Sequence, residues 1–282
     1  LHKIIQFANE LDGVESIHLT TNGKLLANNI NVLKAAGLTG INISLDTLDS
    51  EKFKRITRRD GLEKVLNGLK KSMESNFQSI KLNVVAMRDF NDDELMDFIA
   101  LTQENDITVR FIELMPFDSH QIWKTGKFYG ADQIVADLEK QVEELIPVDG
   151  SQTEHHVFRV NDYKGKVAVI PAYSRTLCCD CNRIRITADG KLLNCLYSQD
   201  EINLRDAMRN GKDSQQIEKM IKDTMNKKFK DGSPLTMPGD KKKSAVLVKW
   251  GDEVTECVWM PPGSLQRDMA RGEFLSGLDF DK

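Results

Sequence analysis

The sequence predicts an α/β protein in which four βα units build a parallel sheet or barrel and a small α+β domain follows. Three observations carry this. Residues 1–116 alternate short apolar strands with helical stretches, the pattern of parallel strands joined by crossovers. The alternation then gives way to two strands, 157–160 and 167–170, whose short connection at 161–166 marks an antiparallel pair. Finally, Cys178, Cys179, Cys181 and Cys195 crowd into one stretch late in the chain.

Taken in order, residues 1–11 carry a helical stripe of Ile4, Ile5, Phe7, Ala8 and Leu11. A strand at 17–21 ends in Asn22-Gly23, a strong turn signal. A helix at 25–36 stops at Gly37, and residues 41–46 form the next strand. Then come an amphipathic helix at 62–73, a strand at 80–87, a helix at 92–105 and a strand at 109–114. In such barrels the ligand-binding groups stand at the carboxyl ends of the strands. Thr20, Thr21, Asn22, Ser44, Asp46 and Glu113 occupy those ends and are expected to share a cavity.

A further helix is predicted at 131–142, and a domain boundary near residue 145. The chain then divides into residues 1–145, residues 146–230 and a carboxyl-terminal stretch, 231–282. His155 and His156 read as polar residues at a strand entrance rather than as ligands. The helices at 204–209 and 216–229 read as packing elements with charged outer faces.

A net charge of −4 over 282 residues argues against non-specific nucleic-acid binding. No apolar run approaches the roughly 18 residues of a membrane-spanning helix. With 40% apolar residues the chain can build a substantial core. The clustered cysteines suit a reducing compartment.

The chemistry concentrates in CCDCNRIRITADGKLLNCLY, residues 178–197. Ile184 and Ile186 alternate with Arg185 and Thr187, Ala188-Asp189-Gly190 supplies a turn, and residues 191–193 begin the return strand. That hairpin brings Cys195 back toward Cys178 and Cys181, so three thiolates can converge on one metal. Three cysteines suit a [4Fe-4S] cluster with one iron open to substrate; a zinc knuckle completed by His or Asp is the alternative, and a disulfide framework a third reading. Arg183 and Arg185, two apart on one strand, offer fixed cationic forks suited to phosphate or a purine edge. Cys179 reads as a packed side chain and Cys257 as an unliganded thiol.

The run CxxCNRxRxTxDGxLxxCL at 178–196 closely resembles the carboxyl-terminal cluster segment of the radical S-adenosylmethionine family of GTP 3′,8-cyclases, which opens molybdenum cofactor biosynthesis. Thr20-Thr21-Asn22-Gly23, residues 42–46, Lys81-Leu82-Asn83, Asn91-Asp92-Asp93-Glu94 and Arg110-Phe111-Ile112-Glu113-Leu114-Met115-Pro116 extend the resemblance. It implies a partial (βα)6 TIM-like barrel of the radical S-adenosylmethionine type with a small cluster-binding α+β domain. It also implies conversion of GTP to 3′,8-cyclo-7,8-dihydro-GTP, a lyase reaction. By the same resemblance Thr20, Lys81, Arg183, Ile184 and Arg185 contact GTP, Ser44 and Met115 contact S-adenosylmethionine, and Cys178, Cys181 and Cys195 hold a [4Fe-4S] cluster. The implied partners are GTP, S-adenosylmethionine, cyclic pyranopterin monophosphate synthase as the next enzyme, and a second copy of the chain in a homodimer; neither nucleic acid nor membrane is implied. The implied location is intracellular and soluble, in the cytoplasm of a bacterium or the mitochondrial matrix of a eukaryote.

Two departures from the family pattern are visible. Residues 1–177 contain neither the CxxxCxxC of the first cluster nor the GGEP strand end, so the chain reads as lacking the first two βα units. On that reading it binds GTP without cyclising it, and its barrel edge is left unpaired. The second departure is that residues 231–282 do not match the family's tail. The alternative functions are another radical S-adenosylmethionine enzyme with an auxiliary cluster, against which Asn182-Arg183-Ile184-Arg185 and the Thr-Thr-Asn-Gly landmark argue, and a non-catalytic zinc-binding interaction module.

Overall fold

A computed structural model describes residues 1–114, 126–150, 156–174, 183–195 and 200–227, with the backbone of two further strands at 245–249 and 256–258. The first half alternates as expected: α1 (His2–Asn9), β1 (His18–Thr21), α2 (Leu26–Ala35), β2 (Gly40–Ser44), α3 (Ser50–Thr57), α4 (Leu62–Met73), β3 (Ser79–Ala86) and β4 (Thr108–Glu113). Between β3 and β4 a 3-10 turn at Asp92–Glu94 leads into α5 (Leu95–Ala100), which is shorter than the helix predicted there. Next come α6 (Ala131–Gln141), β5 (Leu145–Pro147), β6 (His156–Val160) and β7 (Lys166–Ile170). The remaining elements are β8 (Arg183–Thr187), β9 (Lys191–Leu193), β10 (Ile202–Asn203), α7 (Leu204–Arg209), α8 (Ser214–Asn226), β11 (Ala245–Lys249) and β12 (Glu256–Val258).

Among the described residues the strands form two sheets. The larger has the order β12-β1-β2-β3-β4-β7-β6-β5, and the smaller β10-β9-β8-β11. Strands β1, β2, β3, β4 and β7 run parallel. Strand β6 is antiparallel to β7, as its short connection requires, and β5 is antiparallel to β6. The hydrogen-bonded sheet thus includes β5, β6 and β7. The β1 edge, expected to be unpaired, has β12 parallel along it.

One face of the large sheet is a continuous apolar layer. Ile41, Ile43, Leu82, Val109, Phe111, Val167 and Val169 are all completely buried and share one core with Leu26, Ile30, Leu33, Val65, Leu69, Phe98 and Ile134 of the covering helices. Each such side chain contributes about 1.5–3 kcal/mol by leaving water. Truncating Phe111, which sits edge-on to Phe98 at 6.2 Å, would cost roughly 3–5 kcal/mol. Because side chains alternate along a strand, this apolar layer fixes which residues project from the other face.

The connections after β1 and β2 are held by local hydrogen bonds. Thr21 Oγ1 accepts from the Gly23 amide at 3.2 Å and Asn22 Oδ1 from the Lys24 amide at 3.2 Å. Gly23 has φ +73°, and a Cβ there would stand 3.0 Å from Val65 Cγ1, so no other residue fits this turn without strain. Helix α3 begins where the Asp49 carboxylate accepts from the Lys52 amide at 2.7 Å.

Candidate functional site

The face of the sheet opposite the apolar layer is polar at its centre. Thr20, Asn42 and Lys81 are adjacent across β1, β2 and β3, and Ser44, Asn83 and Arg110 are adjacent across β2, β3 and β4. These six residues lie in two neighbouring rows of the same face, across the middle of the parallel strands. Arg110 is 5% exposed and donates from Nε to Asn83 Oδ1 at 2.8 Å and from Nη2 to Asn42 Oδ1 at 3.3 Å. Asn42 Nδ2 in turn donates to Thr20 Oγ1 at 3.2 Å. A line of hydrogen bonds thus crosses four strands, and two neutral amides hold the buried guanidinium in place. Buried charge is tolerated only where its donors are met, and the line meets at least two of them.

Asp46 lies two residues beyond Ser44. Its carboxylate accepts from the Val85 amide at 2.8 Å, while its carbonyl accepts from Asn91 Nδ2 at 2.7 Å. Burial pushes its pKa up from the usual 3.8 to about 6, against the lowering effect of the Val85 hydrogen bond. A carboxyl group so perturbed at a strand end is the kind that functional sites use.

Of the strand-end residues expected to share a cavity, Thr20, Ser44 and Asp46 are at the polar face. Thr21, Asn22 and Glu113 are not. Thr21 and Asn22 hold the turn into α2, and Glu113 has the same parity as Val109 and Phe111, so it projects to the helix side and is 1% exposed. Asn42, Asn83 and Arg110 were not singled out as site residues from the sequence. Their signal is the two-residue alternation itself: polar residues at 42 and 44, at 81 and 83, and at 108 and 110 all fall opposite the apolar positions.

A second acidic anchor holds the loop leaving β2. Glu94 is 5% exposed and accepts from Thr47 Oγ1 at 2.7 Å, from the Leu48 amide at 2.6 Å and from Lys52 Nζ at 2.9 Å. Partial burial alone would lower the pKa of Lys52. Hydrogen bonds to Asp93 and Glu94 outweigh that and hold it above its usual value.

In the smaller sheet β8 and β9 form the expected hairpin, pairing Arg185 with Leu193 and Ile186 with Leu192. The paired register ends at Leu193, two residues before Cys195. Its turn is tightly held: Lys191 N donates to Thr187 Oγ1 at 2.9 Å, Gly190 N donates to Thr187 O at 2.9 Å, and Gly190 has φ +81°. Lys191 Nζ bridges to Glu201 at 2.8 Å. Asn194 Nδ2 donates to the Lys227 carbonyl at 3.2 Å, tying the hairpin base to the end of α8. Arg183 and Arg185 are half-buried on one face of β8. Ile184 lies on the other face and packs with Leu192 and Leu204, so only its backbone remains for a ligand.

Cys195 is a free, half-buried thiol. Cys178, Cys179, Cys181, Met115 and His155 lie outside the described residues, and so do the side chains of β11 and β12, Cys257 included. His156 is half-buried in β6. Among the described residues no group of three or more His, Cys, Asp or Glu is placed to hold a metal. Of the three cysteines singled out in the sequence, Cys195 is the one among the described residues, two residues past the end of β9.

Comparison with known proteins agrees with this layout. The radical SAM superfamily profile matches residues 1–102, and the profile named Molybdenum Cofactor Synthesis C matches residues 107–233. The GTP 3′,8-cyclase of Chlorobaculum tepidum is 42% identical over 230 residues, 82% of this chain and 70% of that protein. This chain belongs to the GTP 3′,8-cyclase family. The Rhodopirellula baltica cyclase is 38% identical over 229 residues, 80% of this chain and 64% of its own length. Molybdenum cofactor biosynthesis protein 1 of Bos taurus is 41% identical over 220 residues, 77% of this chain and 34% of its own. This GTP 3′,8-cyclase family chain thus spans between about a third and 70% of these relatives. Among its described residues no helix is long and apolar enough to cross a membrane.

Proposed function

We propose that this chain serves the radical conversion of GTP to 3′,8-cyclo-7,8-dihydro-GTP, the step that opens molybdenum cofactor biosynthesis. What supports the reading is the β8–β9 hairpin, which carries Arg183 and Arg185 on one face of β8 and is followed, two residues past β9, by Cys195. Cys178, Cys181 and Cys195 would hold one [4Fe-4S] cluster, and Arg183, Arg185, Thr20 and Lys81 would bind GTP, the backbone of Ile184 lying between the two arginines. Ser44 and Met115 would contact S-adenosylmethionine. When bound, the clusters and S-adenosylmethionine supply the radical chemistry, and the protein supplies position and electrostatics.

The residues suit those roles. Lys81 is a mobile point charge for a phosphate and the two arginines are fixed forks. Arg110, held by Asn42 and Asn83, puts a permanent positive charge on the face that carries Ser44 and Lys81, so an anionic ligand is favoured there. The parallel strands are read as part of a (βα)6 barrel, and the enzyme taking the product onward as cyclic pyranopterin monophosphate synthase. A homodimer is part of the same reading.

Calorimetry of the iron-reconstituted chain with GTP tests the proposal. Arg183→Ala and Arg185→Ala should each weaken binding on the order of tenfold or more, the value of a charge-assisted contact of roughly 1.5–3 kcal/mol. Unchanged affinity in both variants would make the arginines hairpin residues only.

A further inference from the structure

Glu113 closes β4 in a position that neither ligand site explains. Its carboxylate meets four donors. Oε1 accepts from the Ala131 amide at 2.6 Å and from Ser174 Oγ at 2.6 Å, and Oε2 accepts from the Tyr173 and Ser174 amides, each at 2.8 Å. An ionised carboxylate has about four acceptor sites, so this one is saturated. The donors belong to two separate segments, the amino end of α6 and the run that leaves β7.

Each segment depends on this carboxylate for a reason visible in its own sequence. Gly130 precedes α6 without a side chain to cap it, so Glu113 takes over from β4 the role of an N-cap and places negative charge at a helix amino end. Gly130 lies close to both partners: a Cβ there would stand 3.4 Å from the Phe128 ring and 3.9 Å from Glu113 Oε1, ordinary contact distances. Phe128 then packs edge-on against Tyr173, with ring centroids 5.6 Å apart. Tyr173 and Ser174 are therefore held by a ring contact and three hydrogen bonds, and Ser174 is four residues ahead of Cys178.

We infer that Glu113 is a positioning residue: it fixes to β4 the stretch that leads into Cys178 and Cys181, three residues along from Arg110 on the same strand. The inference rests on the reading that these cysteines hold a cluster. Catalysis and ligand exchange at such a centre depend on placement to within about an ångström, and a carboxylate with four donors from two segments is the means of fixing it. A glutamine here would offer one oxygen and present an N–H₂ group to donors, leaving at least two of them unmet.

The test uses the full chain reconstituted anaerobically with iron and sulfide, in Glu113→Gln, Glu113→Asp and Ser174→Ala forms. Two quantities are read: amide hydrogen exchange in the peptide containing Tyr173 and Ser174, and the rate of iron loss to a chelator. Glu113→Gln should speed both about tenfold or more. Glu113→Asp, which keeps the acceptors one methylene short, should restore part of each. Ser174→Ala removes a single donor and should shift both in the same direction by less; it carries the test if Glu113→Gln does not fold. Faster exchange with unchanged iron loss would overturn the inference and leave Glu113 a structural cap. A parent chain that takes up no iron would overturn the cluster reading itself, and this inference with it.

Discussion

Replacing Asp46 by asparagine measures the cost of a partly buried carboxylate beside the polar face. In the folded protein burial raises the Asp46 pKa from 3.8 to about 6. The native state therefore holds its proton more tightly than the unfolded chain does. Stability linked to this group is fully present below the unfolded pKa and is lost as pH rises through the folded one. A rise of this size amounts to about 3 kcal/mol above neutrality, of which roughly half is already lost at pH 5. The substituted amide stays neutral and keeps an oxygen for the Val85 N–H, so Asp46→Asn should stabilise the protein at pH 8. An unmet N–H₂ on the new side chain would offset about 1 kcal/mol of that gain. The diagnostic is the slope: the advantage of the variant should grow by about 1.4 kcal/mol between pH 5 and pH 8. Urea unfolding followed by circular dichroism at both pH values reads it. An advantage that is independent of pH, or a loss at pH 8, would refute the reasoning. If the more stable variant also binds S-adenosylmethionine less tightly, the carboxylate is one kept for function at the expense of stability.

Other outcomes follow from the same geometry. Glu94→Gln removes the charge that Thr47, the Leu48 amide and Lys52 converge on, and should cost about 3 kcal/mol in urea unfolding, since it leaves Lys52 partly uncompensated; a change under about 0.5 kcal/mol would mean the loop after β2 is held otherwise. Tyr129→Phe deletes a 2.9 Å hydrogen bond to Asp137 while keeping the Arg88 guanidinium stacked 4.0 Å from the ring centroid. It should cost about 1 kcal/mol. Burial and Asp137 hold the Tyr129 phenol well above its usual pKa, so the ultraviolet signature of phenolate should be absent for this residue at pH 10.

Strand positions were legible because β3 and β4 alternate so regularly that their edges fall within one residue of the reading at each end. Helix α4 is read residue for residue, with Val65 and Leu69 on its buried side. Helix α3 was not read at all: its eight residues have only Phe53 and Ile56 as apolar members, and its start rests on the Asp49 cap rather than on a stripe. The pairing of β7 with β4 was not legible either, since it joins residues some sixty apart through backbone groups that any sequence carries. At the site, Thr20, Ser44 and Asp46 could be named from strand ends, whereas Thr21 and Glu113 were misassigned by ignoring parity. The same parity, applied inward from the strand ends, picks out Asn42, Asn83 and Arg110. Burial of Ile184 was equally available from its alternation with Arg183 and Arg185.

The central claim is that Cys178, Cys181 and Cys195 bind iron and sulfide at the β8–β9 hairpin. Metal and acid-labile sulfide analysis after anaerobic reconstitution tests it most directly, run on the parent and on single Cys→Ser variants. The account predicts about four irons and four sulfides per chain at that site, lost in Cys178→Ser, Cys181→Ser and Cys195→Ser and unchanged in Cys179→Ser and Cys257→Ser. Stoichiometric zinc without iron, or iron that survives the loss of Cys195, would contradict it.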